Sequence, residues 1–248
     1  MKGKLLRVVL PLAFWLAVWE AAAHLLGKEL FLPTVEAVVR SLGELAVTGA
    51  FWRSAAATLL RVLAGFGLGA LLGTGLGALT AACRWGDVLL SPALRAIRTV
   101  PVVSFILLLY FCLPTAQVPV VVSALMALPV AWRSARQGIA AADPLLVELA
   151  GAYRLGRWKT LRLVYLPAAL PALAAGWETS LGLAWKSGVA AEVLCQPKWA
   201  AGTALQAAKA YLDTPGLVAW TVVIILMSVT VEGLLRWALR RWRGGRGA

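Results

Sequence analysis

The chain has 248 residues, 61% of them hydrophobic and only 14% charged. Soluble domains carry about 25% charged and roughly 45–50% apolar residues, so this excess of apolar surface cannot hide in one soluble core and part of it must face lipid. A formal net charge of +13 would suggest nucleic acid for a soluble chain. Here, however, Lys and Arg cluster in short segments between long apolar runs, which is how membrane topology is encoded. Cys83, Cys112 and Cys195 are too scattered for a zinc site or a redox pair, and the single histidine, His24, stands alone, so no metal set and no catalytic cluster is expected.

The first residues are basic up to Arg7, apolar over Val8–Trp19 and small over Ala21-Ala22-Ala23, a pattern shared with cleavable signal peptides. The apolar stretch runs on to Leu26, which makes it the first of six expected spans. A helical span needs about 20 apolar residues, and the chain offers them at about 5–26, 55–83, 100–113, 118–132, 166–194 and 216–239, within one domain covering 1–248. The expected fold is an all-α membrane protein. Between the first two spans, Val35, Val38, Val39, Leu42 and Leu45 fall at helical spacing, the signature of an amphipathic helix on the outer surface. In the second span, Gly65, Gly69, Gly73 and Gly77 form an every-fourth-residue ridge that lets another backbone come close, either a neighbouring helix of the same chain or a second subunit. The third and fourth spans are short and separated by Pro114-Thr115-Ala116-Gln117, as in a tight helical hairpin.

Orientation follows from the cations. With both termini inside, seventeen of the 24 Lys and Arg residues fall in inner segments and five in outer ones, while Arg61 and Lys186 lie within spans. Short loops are where this asymmetry is most informative, so both ends are expected in the cytoplasm, with Cys83 at the inner face and Cys195 at the outer one.

The longest inner loop, 133–165, carries the most information. Asp143-Pro144 reads as a helix start, a capping acid followed by a first-turn proline. The helix that follows places Leu145, Leu146, Leu149 and Ala152 on an apolar face, with Glu148, Arg154, Arg157 and Lys159 around it. From Glu148 to the Leu166-Pro167 pair, the segment resembles the cytoplasmic "EAA" loop of ABC-importer permeases. That pattern is Glu-Ala-Ala, three residues, Gly, nine residues, Ile, one residue, Leu-Pro. Glu148 takes the Glu position, Ala150 the second Ala, Val164 the Ile and Pro167 the closing Pro. Leu149 replaces the first Ala and Arg154 stands where Gly is usual; Gly156, two residues on, is expected to supply the turn instead.

Further stretches resemble permeases of the nitrate/sulfonate/taurine type: Leu60-Arg61-Val62-Leu63-Ala64-Gly65-Phe66, Arg98-Thr99-Val100-Pro101, and Gly182-Leu183-Ala184-Trp185-Lys186 with Ala190-Ala191-Glu192. The resemblance implies a type I ABC importer permease fold of six transmembrane helices in a bacterial inner membrane. It also implies a homodimer served by two cytoplasmic ATPases and an extracytoplasmic solute-binding protein. The loop would then form a coupling helix on the ATPase through Leu145, Glu148, Leu149, Ala150, Arg154, Gly156 and Pro167. The chain has no G-x-x-x-x-G-K-[ST] phosphate loop, so it is expected to carry no cofactor, to be no enzyme, and to draw its energy from ATP bound by a partner.

Three charges lie within the fifth span. At about 100° per residue, Glu178, Lys186 and Glu192 fall in one arc of about 120°. A charge near mid-membrane costs about 2.5–3.5 kcal/mol on insertion scales and therefore faces a cavity or a partner. Two alternatives stay open: that Glu178, Lys186, Glu192 and Arg61 line the path of a small anionic solute, or that they pair with one another and lock the bundle. Glu20 and Glu232 lie nearer span ends. A single-chain secondary transporter or channel is the alternative function; it would show inverted repeats with matched broken helices, and none is visible.

Overall fold

The structure, a computed structural model, describes residues 2–244; Met1 and, from the C-terminal basic cluster, Arg246 lie outside them. The described residues form α-helices and no strand. In chain order they are α1 (Lys2–Leu26), α2 (Val35–Ala46), α3 (Gly49–Ala82), α4 (Arg84–Thr99), α5 (Val102–Cys112) and α6 (Val118–Ala140). Then come α7 (Pro144–Ala152), α8 (Arg157–Thr160), a π-helical turn (Leu161–Tyr165), α9 (Leu166–Cys195), α10 (Ala201–Ala210) and α11 (Thr214–Gly244).

The centre is a three-helix layer in which α6 lies between α3 and α9. Helices in lipid gain nothing from hiding apolar surface from one another, so they associate by close packing of small residues. The glycine ridge of α3 does this against α6 of the same chain. A Cβ added at Gly65, Gly69, Gly73 or Gly77 would collide with the carbonyl oxygens of Val120, Ala124, Leu128 and Trp132 in turn. Gly67 and Gly75, off the ridge, would meet nothing within 4 Å. A second seam joins α6 to α9, where Gly138 abuts Ala169, Gly176 abuts Ser134, and Gly188 abuts Ser123 and Val62. Ser123 Oγ donates to the Ala184 carbonyl across this seam (3.0 Å), and Trp177 Nε1 donates to Thr74 Oγ1 from α9 to α3 (3.1 Å).

These contacts fix directions. Residue numbers rise together along the α3–α6 ridge, so the two helices run parallel, whereas the α6–α9 pairings run antiparallel. Between Ala82 and Val118 the chain must therefore travel back along the bundle. It does so in two pieces, α4 and α5, which meet at a 101° bend where Pro101 supplies no N–H to continue a helix. α4 is held at the α7 end by Arg136 Nη2 to Asp87 Oδ2 (2.8 Å). α5 packs at the opposite end, in a cluster of Ile106, Val118, Val122, Ala191 and Cys195.

Around the α10 end, Phe51, Ala201, Trp220 and Val223 form a second cluster, onto which Leu42 and Leu45 of α2 pack. The amphipathic helix expected at 35–45 is thus present, but Val38, Leu42 and Leu45 are seated on protein, while Val39 is exposed. Its start is capped by Thr34 Oγ1, which accepts from Ala37 N (3.2 Å). α1 is tied down near its end: Trp19 Nε1 donates to the Pro33 carbonyl (3.0 Å) and Glu20 Oε2 accepts from Val35 N (2.7 Å). Just 6% of Val9–Leu26 is buried, so nearly all of this apolar helix faces outward.

Several expected boundaries shift. Among the described residues, four helices are long and apolar enough to cross a membrane, namely Val9–Leu26, Gly49–Ala82, Val118–Ala140 and Thr214–Arg241, and five if the bent α4–α5 pair is one span. The expected third span, 100–113, is helical only over Val102–Cys112, about 16 Å at 1.5 Å per residue, half of a hydrocarbon core. The expected fourth span runs on to Ala140, which puts Arg133 and Arg136 on the last turns of α6 instead of in a loop. α9 has 30 residues, ample length, but its polar residues leave it less apolar than the four; a helix wrapped by its neighbours needs less apolar surface. Cys195 is buried in the α5 cluster, while Cys83 is exposed.

The ridge predicts a matched contrast. Gly73→Ala forces a Cβ into the α6 backbone and should lower the melting temperature of the detergent-solubilised protein, in line with the 1–3 kcal/mol typical of overpacking. Gly75→Ala meets open space and should leave it unchanged or raise it, since Ala is the better helix former by about 1 kcal/mol. Equal shifts in the two variants would contradict the ridge contact.

Candidate coupling surface and membrane-level polar residues

α7 projects from one end of the bundle. Asp143 caps it, its Oδ1 accepting from Leu145 N (2.9 Å), and Pro144 takes the first turn where no intrahelical donor is needed. Ala150 faces inward and is buried, but Leu145, Leu149 and Tyr153 are 65%, 51% and 74% exposed and Leu146 is nearly half exposed. Glu148 is exposed and lines a cavity of about 570 Å³ between α7 and the bundle, together with Arg136, Thr80, Ile139 and Tyr165.

The helix ends in a Schellman turn. Leu155 N donates to the Ala150 carbonyl and Arg154 N to the Gly151 carbonyl, both at 2.9 Å, which satisfies carbonyls left open at the helix end. The residue that turns the chain is Arg154 itself, at φ +50°. Gly156 does not supply the turn: it is extended (φ −61°, ψ 152°) and begins α8. The glycine of the motif pattern thus falls on a position whose backbone is left-handed, and here an arginine adopts it. After the π-helical turn, in which Leu166 N bonds the Leu161 carbonyl, Pro167 stands exposed in the first turn of α9.

The charges of α9 do not form one stripe. Glu192 is fully buried at the far end of the bundle and makes a clasp. Arg61 Nη1 meets Glu192 Oε1 at 3.1 Å, Thr58 Oγ1 donates to Oε2 (2.7 Å), and Gly202 N donates to Oε2 (3.3 Å). Ala201 N donates to Thr58 Oγ1 (2.9 Å), and Arg61 also donates to the carbonyls of Lys198 and Trp199 (2.9 and 3.0 Å). The carboxylate therefore caps the start of α10 and ties it to α3, at the positive end of the α10 dipole. Gly202 is needed there, because a Cβ would strike Glu192 Cβ and the α9 backbone. Lys186 lies on another face, exposed, and among the described residues it has no ion pair. Glu178 is half-buried and lines a small cavity with Glu232 and Arg236.

Four polar residues at the helix contacts escaped the sequence reading. Thr58 sits three residues before Arg61 on α3, on the same helical face, and that spacing in an otherwise apolar run was a usable signal. Thr80, which receives Trp132 Nε1 (2.9 Å), and the Asp87–Arg136 pair join helices far apart in sequence, and nothing local marks them.

The profile of the family described as "binding-protein-dependent transport system inner membrane component" matches residues 65–244. The riboflavin transport system permease protein of Chloroflexus aurantiacus is 29% identical over 92% of this chain and 86% of its own. The putative aliphatic sulfonates transport permease protein of Bacillus subtilis is 28% identical over 98% of this chain and 88% of its own. The taurine transport system permease protein of Escherichia coli is 29% identical over 94% and 88%. Among solved structures, an amino acid ABC transporter chain matches with a TM-score of 0.56 at 24% identity, over 81% of this chain and 97% of that one. A chain of the MetNI methionine ABC transporter, in inward-facing conformations, matches at 0.53 and 19%, over 84% and 98%.

Two substitutions separate clasp from path. Arg61→Met strands the buried Glu192 carboxylate and should destabilise the protein by about 3–5 kcal/mol, the usual cost of breaking a buried pair from one side. Lys186→Met removes an exposed, unpaired charge and should leave the melting temperature in place. A large loss of stability in the Lys186 variant, or none in the Arg61 variant, would reverse these assignments.

Proposed function

This chain belongs to the family of binding-protein-dependent transport system inner membrane components, and on that premise we propose that α7 is the element through which a separate cytoplasmic ATPase drives transport. The observation that carries the proposal is the exposed apolar face of Leu145, Leu149 and Tyr153, which none of the other described residues covers. A coupling element needs such a face to seat on its partner, and charges around it to fix the orientation. The turn that ends α7 is bonded into the helix, and α8 and the π-helical turn lead from it into α9, so a push on α7 reaches one of the three central helices.

The remaining roles follow from this placement. Two copies of the chain form the path, ATP is bound by two ATPase subunits, and an extracytoplasmic binding protein delivers the solute at the α10 end. Both termini face the cytoplasm in this reading, which the cation asymmetry supports. The solute is a small anion, supported by the exposed, unpaired Lys186 and by relatives named for aliphatic sulfonates and taurine. Arg61 and Glu192 serve structure in this scheme, while Lys186 faces the path.

Leu145→Asp and Glu148→Arg change only the surface of α7. Both variants should insert normally, lose capture of the ATPase in a detergent pull-down and lose uptake in cells; normal capture and uptake would defeat the coupling role. Orientation is tested on intact cells with single-cysteine variants and a membrane-impermeant thiol reagent. Because Cys195 is buried, the outer probe is Lys198→Cys, at an exposed position; it should react while Cys83 is spared. Labelling of Cys83 alone would invert the topology.

A further inference from the structure

We propose that the guanidinium of Arg154 inserts into a carboxylate-lined pocket on the ATPase, so that the residue at the end of α7 is a charged anchor and the turn is only its mount. The proposal rests on the coupling role of α7 given above, and adds the chemistry of the partner surface.

Arg154 occupies a backbone conformation that glycine adopts freely and that residues with a Cβ adopt at a cost. Its φ is +50°, and the two Schellman hydrogen bonds need only backbone atoms, so glycine would make the same turn with less strain. Asn and Asp soften such strain by bonding their own backbone, but an arginine side chain is too long for that. The guanidinium finds no compensation within the chain: it is exposed, and among the described residues it has no ion pair and no side-chain hydrogen bond. What the side chain gains must come from outside.

The surroundings specify what that is. Arg157, Lys159 and Arg162 follow within eight residues, against only Asp143 and Glu148 before it, so this end of the molecule presents positive charge to its partner. Arg154 directly follows Tyr153, with Leu149 one turn back, both largely exposed. When this apolar surface is covered, water is excluded from beside the guanidinium, and a charge contact strengthens as its surroundings dry. A planar five-donor group in that place fits paired carboxylate oxygens, which it binds in bidentate fashion, as a lysine cannot.

The test measures affinity and stability on the same variants, using the ATPase subunit that co-purifies with the wild-type chain, on permease reconstituted in neutral phosphatidylcholine nanodiscs. Arg154→Gly should keep or raise the melting temperature while weakening ATPase binding about tenfold or more, the scale of one charge-assisted contact. Arg154→Lys should fall between the two. Added salt should weaken the wild-type complex more than the Arg154→Gly complex, because one screened pair is gone. Unchanged affinity for Arg154→Gly, in an assay where Leu145→Asp abolishes capture, would overturn the anchor and leave the coupling role standing. Unchanged affinity for both would overturn both. A defect in Arg154→Gly that appears only with anionic lipid would assign the guanidinium to a headgroup phosphate and likewise overturn the proposal.

Discussion

Two helices can touch along their backbones only where neither carries a side chain at the contact, and most of this structure depends on α3 and α6 meeting that condition. Four glycines of α3 lie against four successive carbonyls of α6, one per helical turn, so the pair has essentially one register and one direction. A bulkier residue on the ridge would push the helices apart and release both. With α3 and α6 fixed in parallel, the return path through α4 and α5 is forced, bend included. α9 then finds its place by a looser set of small residues, Gly138, Gly176 and Gly188, each against a specific neighbour.

Polar contacts close this layer at its two ends. At one end the buried Glu192 gathers Arg61, Thr58 and the first amides of α10. At the other, Trp132 bonds Thr80 and Arg136 pairs with Asp87, close to where α7 leaves the bundle. Close packing, with the Ser123–Ala184 and Trp177–Thr74 hydrogen bonds, holds the layer between those ends. α7, beyond the end of the bundle, turns its large apolar residues away from all of this. Its burial rests on Ala150, and the rest of its apolar surface stays open.

The sequence showed the fold class, the glycine ridge and the helix that starts at Pro144 because each leaves a local trace: long apolar runs, a period of four, and a capping acid followed by a first-turn proline. It left open what depends on distant partners. Glu178, Lys186 and Glu192 share a sector of an ideal helix, but whether a charge is clasped or exposed is set by Arg61 and Thr58 on α3, more than 130 residues away. The third span was placed on apolarity alone, which marks α5 but cannot reveal that α4, an amphipathic helix with Asp87 facing Arg136, shares the return. Gly156 was chosen for the turn by its residue type. The hydrogen bonds of Ala150 and Gly151 instead demand a left-handed residue at 154, whatever stands there.

The π-helical turn at Leu161–Tyr165 gives the spacing of the loop motif a second meaning. A π turn holds one residue more than an α turn over nearly the same rise, so the stretch between Glu148 and Pro167 sets an angle as well as a length. A chain one residue shorter here could heal into continuous α-helix with little loss of hydrogen bonding. The residues beyond it would keep their angle, because the π turn already fits its extra residue into a single turn. The same deletion inside α9 has no such slack: it would rotate everything beyond it by about 100°, turning Gly188 away from α6 and Glu192 away from Arg61. The π turn thus works as a spare link in a shaft, where a missing residue is taken up without twisting the far end.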